Sequence, residues 1–138
     1  MKKLILSCII LLCTLNNIKA QNAPLNKQQT LEYIEKVFKE CYKVDETSTK
    51  PERVVLDNKI LQVNLSSGKK SRVELLSNQP LLIKKDPTFD RYHIGYNNVN
   101  QYILYCISTE SDAKRLKKAL EHLIEILKTE KNTDPFGE

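Results

Sequence analysis

Residues 102–128 place the tightest constraint on how this chain can fold. Tyr102, Ile103, Leu104, Tyr105, Cys106 and Ile107 form an unbroken apolar run that reads as a buried strand. Ser108, Thr109, Glu110 and Ser111 punctuate it. Beyond them, Ala113, Leu116, Leu120, Leu123, Ile124 and Leu127 recur at i, i+3, i+4 spacing and share one helical face. Lys114, Lys117, Lys118, Glu121, Glu125 and Lys128 occupy the rest of that surface. A helix with so wide an apolar stripe must bury it against another layer, and the preceding strand names that layer as a sheet.

The sheet is written upstream. From Arg53 the apolar period becomes two, in short runs at 54–56, 60–65, 71–76, 81–83, 89–96 and 102–107. Asp57-Asn58, the Ser66–Lys70 stretch, Ser77-Asn78-Gln79-Pro80, Lys84-Lys85-Asp86-Pro87 and Asn97-Asn98 supply the turns. Six short strands separated by tight turns predict an antiparallel meander. Ahead of them, Leu31, Ile34, Val37, Phe38 and Cys41 line one face of a helix predicted over 27–43. Asn26 and Gln29 are spaced as a capping box, and Glu32–Lys36 and Glu35–Lys39 are favourable i, i+4 pairs. Residues 44–52 read as a linker. At the second helix, Thr109 and Asp112 have cap spacing, and the start is acidic while the end is basic, which suits the helix dipole.

The expected fold class is α+β: one curved antiparallel sheet of about six strands, with an N-terminal helix and a C-terminal amphipathic helix. That element order over 53–128 resembles pleckstrin-homology-like folds, in which a curved meander is closed by a C-terminal helix. The resemblance implies a half-barrel. Such folds have seven strands and usually no leading helix, so this chain is one strand short and carries an extra helix. The segment from Ala113 to Leu123, after an apolar strand and before Asp134-Pro135-Phe136, also resembles the ending of small exported bacterial proteins of unknown function.

The beginning of the chain carries an address. Lys2 and Lys3 precede an uncharged apolar run over 4–15, and Ala20 offers a small residue for cleavage before Gln21. This resembles bacterial signal peptides. The run is shorter than the roughly 20 residues of a spanning helix. The expected organisation is a signal peptide over 1–20, one globular domain over 21–128 and a polar tail over 129–138. The expected location is periplasmic or secreted, with membrane attachment only through an uncleaved signal segment. Cleavage would remove three lysines and no acids, leaving 19 basic and 17 acidic side chains, or +2 instead of +5. The basic character is then too slight and too dispersed to recommend nucleic acid as a partner.

Chemistry is sparse. Cys41 and Cys106 are the two cysteines outside the first twenty residues, and in an oxidising compartment they could pair or stay as small buried hydrophobes. No C-x-x-C or G-x-S-x-G occurs, and three glycines make no phosphate loop. His93 and His122 read as surface or rim residues, with no third ligand for a metal. No cofactor is implied. The candidate binding residues are Lys69, Lys70 and Arg72 at a hairpin tip, with Tyr92 and Tyr96 on a tyrosine-rich strand. In lipid-binding pleckstrin-homology domains a basic strand–turn–strand segment holds the phosphate head group, and Lys70 and Arg72 resemble its end. The bland alternatives are a solvated tip and cross-strand tyrosine packing.

Three functional expectations follow. The first is a non-catalytic exported binding or interaction module, with another envelope protein as partner. The second is a carrier holding a small apolar ligand or lipid between the sheet and the C-terminal helix, bordered by Leu116, Leu120 and Ile124. The third is a hydrolase built from scattered acids and His93.

Overall fold

The computed structural model describes residues 24–43, 49–97 and 102–133. The signal-like segment, the Asn98 half of the last hairpin signal and the final tail residues lie outside these. Helix α1 spans Lys27–Cys41. Its capping box forms in both directions: Asn26 Oδ1 accepts from Gln29 N at 2.9 Å, and Asn26 N donates to Gln29 Oε1 at 3.1 Å. Replacing Asn26 with alanine removes one half of that exchange. Asn26→Ala is therefore expected to cost about 1 kcal/mol, read as a lower urea midpoint at unchanged m-value.

Among the described residues six strands follow: β1 (Pro51–Asp57), β2 (Ile60–Leu65), β3 (Lys70–Glu74), β4 (Leu81–Asp86), β5 (Arg91–Tyr96) and β6 (Tyr102–Ile107). Helix α2 spans Glu110–Thr133, five residues beyond the expected end at Lys128 and into the stretch read as tail. The fold is α+β with antiparallel strands, but the strands do not form a single curved sheet. They form two three-stranded sheets, β1-β2-β3 and β4-β5-β6. The division falls where Pro80 follows Ser77-Asn78-Gln79: proline has no N–H for a ladder, and the chain leaves β3 without pairing β4 to it. The two sheets meet where β3 contacts β6.

Local chemistry explains the hairpins. Asn58, at φ +55°, turns β1 into β2, a conformation asparagine tolerates better than most residues. Gly68, at φ +78°, turns β2 into β3. Lys84 and Lys85 are not a turn, as their charge suggested, but belong to β4. Their ammonium groups lie over the rings of Tyr102 and Tyr92, at 6.0 and 5.7 Å from the centroids, so long amphipathic side chains cover aromatic surface while their heads reach out.

One core unites all of this. Leu61, Val63 and Leu65 point inward from β2 in strict alternation. Ile34, Val37 and Phe38 from α1 join Leu116, Leu120 and Leu123 from α2 and Ile94, Leu104 and Ile107 from the second sheet. Helix α2 packs on β4, β5 and β6 as expected, and α1 packs on α2 and β1. The C-terminal end of α1 is stitched to β6. Tyr42 leaves the helix and pairs with Ile107 as an antiparallel bridge. Lys43 N donates to Cys106 O at 2.6 Å, and Ser108 N donates to Cys41 O at 2.8 Å. Helix α1 was expected to continue through Lys43; pairing with the edge of β6 ends it at Cys41 instead.

Candidate functional site

The residues singled out from the sequence fall in different places. Lys69 and Lys70 are exposed on the β2–β3 hairpin, and Arg72 Nη2 lies 3.7 Å from Asp57 Oδ2. Tyr92 and Tyr96 belong to the other sheet, on the face that also carries Ile94. Tyr96 is buried, and its hydroxyl donates to the carbonyl of Leu75; burial pushes its phenol pKa up. Tyr96 is thus part of the core, while Tyr92 is half-buried under Lys85.

Cys41 and Cys106 are both buried, as thiols rather than as a disulfide. Burial, then the nearby Asp112 carboxylate, pushes the Cys41 thiol up to about 12. Cys106 faces different company: Arg91 Nη1 donates to its Sγ at 3.1 Å.

That contact belongs to a polar cluster on the second sheet. The register pairs Lys84 with His93 and Asp86 with Arg91, so these four side chains share one face. His93 was read as a rim residue; it is only 7% exposed. The reason is β6. Tyr92 pairs with Ile107 and Ile94 with Leu104, so Tyr105 and Cys106 together oppose His93 in a bulge. Tyr102 stacks on the imidazole at 4.4 Å between centroids and 14° between planes. Cys106 adopts φ +56°, the left-handed region that a side chain disfavours by roughly 1–2 kcal/mol. Its N–H is donated to His93 Nδ1, at 3.3 Å.

His93 Nε2 faces Asp86 Oδ2 at 3.7 Å, and Arg91 Nε faces the same oxygen at 3.6 Å. Phe89 backs the guanidinium, 4.2 Å from ring centroid to Cζ. Burial lowers the His93 pKa, with Asp86 pulling partly the other way. Burial likewise works against ionised Asp86, but the N–H groups of Thr88 and Phe89, with Arg91 and His93, outweigh it and hold the carboxyl below its usual value. Among the described residues no group of three His, Cys, Asp or Glu side chains is arranged to hold a metal ion.

A second locus is open to solvent. Strand β1 is an edge of its sheet, and α1 runs alongside it. Between them lies a groove of about 310 Å³, walled by Leu31, Glu32 and Glu35 on α1 and floored by Arg53, Val54 and Leu56 on β1. Val54 N–H points away from β2 into this groove and donates to Glu35 Oε2 at 2.8 Å. Glu35 Oε1 accepts from Lys39 at 2.6 Å. Burial raises the Glu35 pKa, but Lys39, the Val54 N–H and Arg53 together bring it below the usual value. Backbone direction alternates along a strand, so the N–H and C=O of Leu56 face the same way as those of Val54. A carboxylate therefore stands where the carbonyl of a neighbouring strand would stand. The sequence showed Glu35 only as a helix-surface ion pair. Its reach to β1 depends on a helix–strand contact that no local pattern announces.

Compared with known protein families, curated proteins and solved structures, the chain matches none.

Proposed function

We propose that this chain is an exported, non-catalytic interaction module that binds an extended segment of a partner polypeptide along the β1 edge. The observation that carries the reading is the Val54 N–H, which points into the groove and is met there by a side-chain carboxylate. An edge strand offers main-chain donors and acceptors that a partner strand can use. An incoming carbonyl would take Val54 N–H from Glu35, and a basic side chain on that segment would meet Glu35 and Glu32. Leu31 and Leu56 give the apolar contact.

Export rests on the signal-like first twenty residues, with the periplasm or the exterior as destination. Among the described residues no helix is long and apolar enough to cross a membrane. The pleckstrin-homology-like plan belongs to the same reading: two meanders followed by a C-terminal helix support it in element order. Six strands and a leading helix depart from it. The carrier reading is disfavoured because Leu116 and Leu120 are completely buried in the core, while Ile124 lines a shallow groove of about 180 Å³ whose walls include Gln79, Glu121, Glu125 and Lys128. The hydrolase reading is disfavoured because His93 Nδ1 already accepts a backbone N–H.

The test uses synthetic hexapeptides alternating valine with lysine, glutamate or serine, titrated while backbone amide shifts are followed by NMR. Saturable shifts centred on residues 53–57, strongest for the lysine peptide, are expected. Leu56→Pro, tolerable on an edge strand, should weaken binding about tenfold, roughly the worth of one net hydrogen bond. Shifts centred elsewhere, indifference to Leu56→Pro, or no saturation at millimolar peptide would each overturn the reading.

A further inference from the structure

We propose that His93 is an acid-released latch, holding the β6 bulge closed and, through it, the seam that fastens α1 to the second sheet. This goes beyond the groove reading and does not depend on it.

The latch begins with a backbone donor at an irregularity in the β5–β6 ladder. At the bulge, Tyr105 and Cys106 of β6 together oppose His93 of β5. Cys106 N–H finds His93 Nδ1. Only an unprotonated ring nitrogen can accept, so the closed arrangement requires neutral imidazole carrying its proton on Nε2, toward Asp86. Protonating Nδ1 replaces acceptor with donor and sets two N–H groups against each other in a nearly buried site. The ring cannot simply turn away, because Tyr102 lies flat against it.

The charged groups around the ring set the direction of the response. On β4, Asp86 favours the imidazolium, while Lys84, paired with His93 in the ladder, holds its ammonium 6.0 Å from the Tyr102 ring centroid. On β5, Arg91 opposes the imidazolium. On β6 the neighbours are the Tyr102 ring and the Cys106 backbone N–H. Burial adds to the opposition and is the largest influence, so the folded pKa lies below 6.5. A histidine depressed in this way binds fewer protons in the fold than in the unfolded chain. Its contribution is complete above about 6.5 and drains away as pH falls through the folded pKa.

The consequence is local because of what Cys106 also does. Its carbonyl accepts Lys43 N–H, and Ser108 N–H reaches Cys41 O. Lys43 Nζ in turn donates to the carbonyls of Phe89 and Asp90 in the β4–β5 loop, at 3.3 and 3.0 Å. When His93 lets go, Cys106 can leave its disfavoured φ, and the bonds it positions between β6 and the end of α1 loosen together.

Amide hydrogen exchange on the full chain, from pH 7.5 to 4.5, tests this, with protection factors corrected for the intrinsic pH dependence. The protection of Cys106, Lys43 and Ser108 should fall by up to about tenfold per pH unit as pH drops from about 6.5 to the folded His93 pKa, and level off below it, while core amides such as those of Leu61 and Val63 in β2 hold. His93→Asn places a non-titrating oxygen near the Nδ1 position and should make the profile flat. His122→Asn, at the other histidine, should leave it unchanged. Should His93→Asn fail to fold, imidazole ¹⁵N shifts of the unaltered chain decide: a bare Nδ1 at neutral pH, titrating together with the Cys106 amide, supports the latch. A protonated Nδ1 at neutral pH overturns it. So does constant protection at Cys106 while His93 titrates, the same acid response in His93→Asn, or simultaneous loss across the whole core.

Discussion

Phe38→Ala will lower the unfolding free energy by about 3–5 kcal/mol. Phe38 is completely buried at the point where α1 turns into its seam with β6. Its ring stands edge-on to Tyr42 at 5.5 Å and to Tyr105 at 6.4 Å, so one side chain ties the helix, the segment after it and the strand together. Such pairs add about 0.5–1.5 kcal/mol beyond area burial. Truncation removes the transfer energy of the ring and leaves a cavity that a helix pinned at Tyr42 and Lys43 cannot collapse into. Urea denaturation followed by far-ultraviolet dichroism reads the loss as a shifted midpoint. A change below about 1 kcal/mol, the size of an ordinary substitution, would mean that the α1–β6 seam is not part of the cooperative fold.

Leu120→Ala is expected to cost about 2–5 kcal/mol. Leu120 sits at the centre of the α2 stripe with no exposed surface, between Leu116 and Ile124. The same substitution separates core from carrier. If the face packs as core, stability falls and no small molecule restores it. If it lines a ligand site, stability falls little, and added medium-chain fatty acid raises the melting temperature of the parent chain but not of the variant. The buried geometry calls for the first outcome.

The secondary structure was largely legible in the sequence because its signals are local. The Asn26–Gln29 box, the 3.6-residue stripe from Ala113 to Leu127 and the alternation in β2 each depend on residues within one or two turns of each other. Strands β2 and β6 fall where the apolar runs begin and end. The pattern misled where charge was taken for solvent. Lys84 and Lys85 read as a turn, yet their stems can lie on tyrosine rings within a strand. His93 read as a rim residue because Arg91 and Gly95 share its face. A bulge in another strand, with Tyr102 laid over the ring, is what buries it.

Periodicity, capping and turn chemistry act between near neighbours, and they were enough to specify the α+β class, the two amphipathic helices, the six described strands and the hairpin turns at Asn58 and Gly68. The division of those strands into two sheets came from long-range packing. So did the placing of Glu35 against the edge of β1 and the gathering of Asp86, Arg91, His93 and Cys106 on one face. Those outcomes depend on which strand edges meet and where a bulge shifts the register. Such choices are settled by contacts between residues far apart in the chain, which no short window of sequence contains.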